Sequence, residues 1–370
     1  MKSEIIKLKK ILSNGRFEKI LILSGEKSFF KSGAKKLCNQ IIDKNKKKLF
    51  FYFKKNSFPE IRELIKIINF IKKVKPNLIF AIGGGSVLDY AKIANTMSFS
   101  PTIKNDILHG SNKNLKKFCP LLAIPTTAGS GAEVTPNAVI YIKNIKFSVE
   151  SDILKPDYAF LIPELVIGNK KKLKSSAGFD AISQAMESLI SKKSTKESVE
   201  FAVQSLKISL KNYLSFVNKP NIDNSFNMCK AAYLSGKAIS ISKTTAPHAL
   251  SYPFTAIWGV SHGHAVSLTL NDFLFFNYKN IEKSNCKFDL NERFKKIFSL
   301  TKTNSMSELD EFLKKIKKDA NLVQDFKDFN IDIVKDFPKI ISGVNIQRLS
   351  NNPINLDKND IKSILFKRKF

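Results

Sequence analysis

Polar and apolar positions divide this chain into two regimes. Through the first 165 residues, compact apolar runs alternate with longer amphipathic stretches. FEKILILS at 17–24, KLFFYF at 48–53, NLIFAIGG at 77–84 and PLLAIPTT at 120–127 are short and apolar, the pattern of buried strands. The stretches near 28–43, 59–74 and 86–97 carry apolar residues at helical spacing and are long enough to be crossover helices. Strand and helix in repeated alternation predict βαβ units around a parallel sheet, hence an α/β domain over 1–165. After Pro163 the period changes. Segments such as SAGFDAISQAMESLI and TKESVEFAVQSLKISLKNYLSFV are helical in period, with few strand candidates after them, so 166–370 is expected to be all-α. No internal repeat or long low-complexity linker separates the halves. The boundary is expected at 164–169, with two domains that pack directly and frame a cleft.

Composition narrows the class. A length of 370 residues exceeds one ordinary domain. A hydrophobic fraction of 43% with 30 Phe describes a globular protein, and no apolar stretch approaches the roughly 20 residues needed to cross a bilayer. The start, MKSEIIKLKK, lacks the apolar core and small-residue cleavage site of a secretory signal, so a cytoplasmic location is expected. Cys38, Cys119, Cys229 and Cys286 are widely spaced and form no CxxC pair, which argues against a zinc knuckle or a disulfide framework. The net charge of +30 has two readings. Basic proteins bind nucleic acid or anionic membranes when their cations cluster on one face among stacking aromatics. Here the lysines are scattered in short runs (46–48, 72–73, 170–172) without any nucleic-acid-binding signature. The excess of Lys, Asn, Ile and Phe over Arg points to coding-sequence bias and solvated surface charge. No nucleic-acid or membrane partner is expected, and a positive field favours an anionic substrate.

Candidate chemistry begins at AIGGGSVLDYAKIAN, 81–95, where three glycines follow a strand and precede a helix. A backbone without Cβ atoms approaches a pyrophosphate closely, and the helix N-terminus stabilises its charge. Ser86 suits a helix cap and Asp89 lies in the first turn. The same turn exists without a ligand in many proteins, and the GxGxxG fingerprint is absent. A second segment, PTTAGSGAEVTP at 125–136, also follows a strand and offers Thr126, Thr127, Ser130 and bare glycine amides to a phosphate or ribose.

In the helical half, three of the four histidines fall in TTAPHALSYPFTAIWGVSHGHAV, 244–266, while His109 lies in an early loop. His248 and His262 on neighbouring helices can share a metal, and GFDAISQAMES places Asp180 and Gln184 at i and i+4 on one helix face. Two imidazoles, a carboxylate and a further oxygen suit zinc or iron with a position left for substrate. The competing reading is that both histidines satisfy core hydrogen bonds.

GGGSxxDxAK followed by PTTxGSGAE resembles the iron-containing alcohol dehydrogenases, and the resemblance extends from about residue 17 to 275. It implies an N-terminal Rossmann-like domain, a C-terminal all-α domain of the dehydroquinate synthase-like kind, and a homodimer. It also implies a nicotinamide dinucleotide across the two loops, contacting Gly83, Gly84, Gly85, Ser86, Asp89, Thr126, Thr127 and Ser130, with Lys146 as a further contact. Many members carry an Asp after the first strand that holds the adenosine 2′-hydroxyl. In LILSGEK, Ser24 or Gly25 occupies that place, and without a carboxylate to repel a 2′-phosphate, NADP(H) is admitted alongside NAD(H). The family's metal ligands are an Asp, a His four residues on, and two His fourteen residues apart. Asp180, His248 and His262 match, whereas Gln184 stands in place of a His and is a weaker ligand, leaving Fe or Zn open. Tyr252 replaces another His beside the nicotinamide and either relays a proton or closes the pocket; His264 is a second candidate for the relay.

The chemistry so implied is hydride transfer from NAD(P)H to a small aldehyde polarised by the metal. SGKAISISKTTAPHALSYP together with GFDAISQAMES is similar to the branch that reduces phosphonoacetaldehyde to 2-hydroxyethylphosphonate. Lys243, with Lys237, then receives the phosphonate as a point charge, or both are ordinary surface lysines. The alternatives are a general short-chain alcohol dehydrogenase and a lyase resembling dehydroquinate synthase. The lyase would bring more basic substrate contacts than surround this metal motif. A nucleic-acid binder would explain the charge without the His and Gly spacing. Arg348, in QRLSNNP, carries no motif.

Overall fold

Alternate residues of each central strand in the N-terminal half enter different cores. The computed structural model describes residues 2–13, 15–43, 46–56, 58–110, 115–143 and 145–367, and their contacts cluster into two compact units, Met1–Asn169 and Lys170–Phe370. The strands of the first unit are β1 (Lys19–Gly25), β2 (Lys48–Lys54), β3 (Leu78–Gly83), β4 (Leu121–Pro125), β5 (Asn137–Ile142), β6 (Ile145–Glu150) and β7 (Tyr158–Ala159). Five of them form a parallel sheet in the order β2-β1-β3-β4-β7. Ile20 and Ile22 of β1 join Leu78, Phe80, Ile82, Leu122 and Ile124 in one core, while Leu21, Leu23, Ile79, Ala81, Leu121 and Ala123 join the other. Continuous apolar runs are what a parallel strand covered on both sides requires.

Helices α1 (Lys2–Ser13), α2 (Glu26–Lys31) and α3 (Ala34–Ile41) cover the first face; α4 (Ile61–Val74) and α5 (Gly85–Thr96) cover the second. The unit is thus a parallel α/β sheet covered on both faces, as its periodicity predicts, and Rossmann-like, as the resemblance implies. Three details differ from the expectation. The amphipathic stretch at 28–43 is two helices, because Gly33 adopts φ +91° and breaks the helical path. Residues 137–142 and 145–150, not anticipated as strands, pair antiparallel as β5 and β6, which pack Ala138, Ile140, Ile142 and Val149 onto the second core. The amino-terminal residues, whose lysines obscure the period, form α1, with Leu8 and Leu12 buried. Two short helices, α6 (Ile103–Leu108) and α7 (Glu164–Ile167), complete the unit.

The second unit is helical throughout its described residues: α8 (Lys171–Ile190), α9 (Lys196–Asn218), α10 (Ile222–Ser242), α11 (Ala246–Trp258), α12 (His262–Lys279), α13 (Leu290–Thr301), α14 (Met306–Asp319), α15 (Phe337–Ser342), α16 (Ile346–Leu349) and α17 (Lys358–Phe366). At its centre α8 is buried on nearly every side from Lys174 onward and packs against α9, α10, α12 and α13. Its small residues, Ser175, Ser176, Gly178, Ala181 and Ser183 among them, allow that crowding. No described helix is long and apolar enough to cross a membrane.

Candidate functional site

In the first unit the two glycine-bearing loops leave adjacent parallel strands at the same edge of the sheet. Gly83 closes β3 opposite Pro125 at the end of β4, and the Thr126 N–H donates to the Gly83 carbonyl at 3.0 Å. The loops then touch. A Cβ on Gly84 would lie 3.5 Å from the Thr127 side chain, and one on Gly85 would lie 3.0 Å from Ser130 Oγ. A Cβ on Gly83 would fall 2.4 Å from Val87, so the bend requires glycine there. Because β1 lies between β2 and β3, the chain leaves β1 toward one face and β3 toward the other, and this loop opens at the switch point where α/β sheets bind ligands. Ser86 follows at the start of α5, whose N-terminal amides face the same edge.

Asp89 is gathered into a charged cluster with Lys92 and with Lys146 of β6. Burial pushes the Asp89 carboxyl up to about 6 against the pull of both lysines. Lys92, fully buried, donates to Thr135 O and Oγ1 at 2.9 Å and to Asn137 O at 3.0 Å, tying α5 to the loop that follows β4. Burial lowers its ammonium to about 8 and raises its neighbour Glu133 to about 7. Sequence reasoning passed over Lys92 and Glu133, although each sits inside a recognised motif, where a charged residue amid apolar ones is itself a signal. At the end of β1, the Ser24 hydroxyl is committed to the Ile82 carbonyl at 2.6 Å inside the sheet. Gly25 is then the position without a carboxylate.

In the second unit α8, α11 and α12 bring Asp180, His248 and His262 together. One ligand atom from each lies within 4.8 Å of the others. Asp180 Oδ1 stands 3.3 Å from His248 Nε2 and 4.0 Å from His262 Nε2, and the two rings meet edge to face at 5.3 Å. Donors about 2.0–2.2 Å from a shared ion are spaced roughly like this. His248 Nε2 is buried without a well-formed hydrogen bond among the described residues, whereas the His262 side chain is 35% exposed. A buried nitrogen facing a carboxylate, with an open ligand beside it, fits a divalent ion. Local sequence explains the placement. Ser261 opens α12, and Ser176 of α8 accepts both its hydroxyl (2.9 Å) and the His264 N–H (3.1 Å), drawing the histidine end of α12 onto α8.

Gln184, one turn beyond Asp180, donates Nε2 to Asp180 Oδ2 at 3.2 Å and accepts the Ser235 hydroxyl on Oε1 at 3.0 Å. Tyr252 is buried and stacks on His262 at 6.2 Å and 27°. His264 is not brought to this group. Two residues on from His262 it projects from the opposite side of α12, with Nε2 against the Val323 carbonyl at 2.8 Å and its ring edge-on to Phe329. Burial, the largest influence, holds its pKa below the ordinary histidine value. The expectation that it relays protons is therefore corrected: it packs the C-terminal segment. Lys237 does not accompany Lys243 either, since its ammonium lies over the Phe201 and Tyr233 rings at 4.8 and 5.3 Å. Lys243 ends α10, five residues before His248, at φ 61° and ψ 178°. Glu187, unread in the sequence, is fully buried and meets His248 Nδ1. Glu187 and Asp180 together outweigh the effect of burial and hold the His248 imidazole well above the ordinary value. A cavity of about 1000 Å³ lined by Asn271, Phe275, Asp310, Phe326 and Ile364 contains none of the predicted residues, so chemistry rather than volume locates the site.

Comparison with known proteins agrees with both halves. The sequence model described as iron-containing alcohol dehydrogenase matches residues 2–163, and that of the C-terminal part of the Fe-containing alcohol dehydrogenase family matches 174–369. Long-chain-alcohol dehydrogenase 1 of Geobacillus thermodenitrificans is 26% identical over 81% of this chain and 73% of its own length. The phosphonoacetaldehyde reductase of Streptomyces viridochromogenes is 30% identical over 56% of this chain and 55% of its own. Among solved structures, sulfoacetaldehyde reductase from Bifidobacterium kashiwanohense in complex with NAD+ superimposes with a TM-score of 0.84 at 25% identity, covering 98% of this chain and 94% of that one.

Proposed function

The chain belongs to the iron-containing alcohol dehydrogenase family, oxidoreductases acting on alcohols, and from that footing we propose that it reduces phosphonoacetaldehyde to 2-hydroxyethylphosphonate with NAD(P)H and a divalent metal ion. The observation that carries the reading is the convergence of Asp180, His248 and His262 from three helices. When bound, the ion supplies Lewis acidity at a carbonyl oxygen and the reduced nicotinamide supplies hydride.

The chain's own residues have separate tasks. Gly83, Gly84 and Gly85 let the backbone approach the pyrophosphate, while Ser86, Thr126, Thr127 and Ser130 offer hydroxyls and amides to phosphate and ribose. Asp89 of α5, within the electrostatic reach of Lys146 of β6, is assigned to the same cofactor together with that lysine. Asp180, His248 and His262 would hold iron or zinc, and Gln184 reaches the same carboxylate and can turn its amide oxygen inward as a fourth donor. Tyr252, stacked on the more open histidine, carries the proton for the product oxygen on its Oη.

Substrate choice is argued from charge. Two relatives, by their names, act on acetaldehydes bearing a phosphonate or a sulfonate. A net charge of +30 draws such anions, and Lys243 beside the His248 turn is the cation assigned to receive the head group. The test is steady-state reduction of phosphonoacetaldehyde, sulfoacetaldehyde, propanal and lactaldehyde with NADH and NADPH. At least tenfold higher kcat/KM on phosphonoacetaldehyde than on the neutral aldehydes is expected, about 1.4 kcal/mol of transition-state discrimination. Equal efficiency on all four removes the phosphonate assignment, and no reduction of any removes the aldehyde reaction itself.

A further inference from the structure

Asp180 and Glu187 are seven residues apart on α8, two turns along one stripe of the helix, and the His248 imidazole lies between them. Its Nε2 faces Asp180 Oδ1 at 3.3 Å; its Nδ1 meets Glu187 Oε2. The other oxygen of Glu187 accepts the Thr245 N–H and hydroxyl, each at 2.9 Å, and the His248 N–H at 3.4 Å. One buried carboxylate therefore grips both the ring and the first turn of the helix that carries it. The turn leading into α11 is strained, because Lys243 occupies a backbone region that side chains other than glycine rarely adopt. Its flanks are held from elsewhere: Ser191 Oγ donates to Ser242 O at 2.6 Å, and Asn351 Nδ2 donates to Ser242 O at 2.8 Å and to Thr244 O at 2.9 Å.

We propose that Glu187 is a positioning residue for the metal, fixing His248 as the Nδ1–H tautomer with the Nε2 lone pair turned toward Asp180, while Asn351 secures the carbonyls that flank Lys243. An ionised carboxylate only accepts hydrogen bonds, so the nitrogen against it must donate, and the other nitrogen becomes the ligand. The inference rests on the reading that Asp180, His248 and His262 bind a divalent ion.

Glu187→Gln discriminates the tautomer role from plain packing. The amide keeps the size of the side chain and an acceptor for Thr245, yet it presents a donor to Nδ1, which drives the proton onto Nε2, the ligand atom. Wild-type and E187Q proteins, stripped of metal, are titrated with Co²⁺ by calorimetry and by ligand-field absorption, with circular dichroism as the check on folding. Retained dichroism with Co²⁺ affinity lowered about 10- to 100-fold and an altered ligand-field spectrum is expected. Unchanged affinity and spectrum in E187Q overturn the proposal, whereas failure of the wild type to bind Co²⁺ overturns the metal reading beneath it. Should E187Q not fold, the wild type decides alone. With only four histidines in the chain, ¹⁵N spectra of the zinc-loaded protein resolve the ring tautomers, and an Nε2–H tautomer at His248 overturns the assignment.

Discussion

Gly263 of α12 packs so closely on Asp180 of α8 that a Cβ at residue 263 would lie 2.7 Å from the Asp180 Cβ and 2.1 Å from the Ser176 carbonyl oxygen. This approach is what sets His262 beside the carboxylate.

Gly263→Ala must therefore push α12 away from α8. Overpacking of this kind costs about 1–3 kcal/mol, and the displaced His262 should lose its share of the ion. A lower unfolding midpoint together with weakened Co²⁺ binding is expected, while Gly168→Ala, where a Cβ meets nothing within 4 Å, should change neither. Wild-type metal affinity in G263A would contradict the packing argument.

His262 and His264 should separate cleanly on substitution. His262→Ala removes the proposed metal ligand and is expected to abolish turnover. His264→Ala removes a bond to the Val323 carbonyl and an aromatic contact, so about 1–3 kcal/mol of stability should disappear with kcat nearly unchanged. Urea unfolding and steady-state rates on the two variants read this out, and an inactive but stable H264A would restore the relay.

Gln184 invites the reverse experiment. Its amide already touches Asp180, and an imidazole there would be a stronger donor. Gln184→His is expected to tighten zinc binding by about tenfold or more, and Gln184→Leu to weaken it, as measured by competition with a chromogenic chelator.

Cofactor preference is expected to turn on Gly25. At φ −87° and ψ 131° its backbone accepts any side chain, and the nearest atom to a new Cβ is the Ser28 hydroxyl at 3.1 Å. Gly25→Asp should leave NADH binding intact and weaken NADPH by tenfold or more through repulsion of the 2′-phosphate, which fluorescence titration of each cofactor would report.

The buried charges around α5 predict a pH profile for stability. The Glu133 carboxyl is raised to about 7 from 4.5, chiefly by burial, so between those values the folded protein binds more protons than the unfolded one and stability falls as pH rises. Lys92 is lowered to about 8 from 10.5, again by burial, so between 8 and 10.5 the unfolded chain binds more protons and stability rises with pH. Each limb has a slope of at most about 1.4 kcal/mol per pH unit. Glu133→Gln should flatten the first limb in denaturation midpoints measured from pH 5 to 7, and an unchanged slope would remove Glu133 as its source.

The local pattern of the chain marked the central strands, most of the long helices and the class of its first unit. Continuous apolar runs mark β1, β3 and β4 because a strand covered on both faces has no polar side, and the glycine run at the end of β3 marks the bend, where a Cβ on Gly83 would strike Val87. Asp180 and His248 were legible through their spacing in a recognised motif. Periodicity failed where it was short or masked by lysine, at α1 and at the β5–β6 hairpin.

Tertiary structure alone decided which polar residues meet. Motif spacing marked His262 as a ligand and left His264 a relay candidate, but only helical geometry sends one toward Asp180 and the other toward Val323. Glu187 looks like any surface glutamate until α8 is buried on nearly every side and the His248 ring of α11 is set against it. Asn351 reaches the Lys243 turn from more than a hundred residues away. Helix and strand periods are properties of neighbouring residues, whereas the partner of a buried carboxylate is chosen by how separate helices pack, and only the folded chain contains that information.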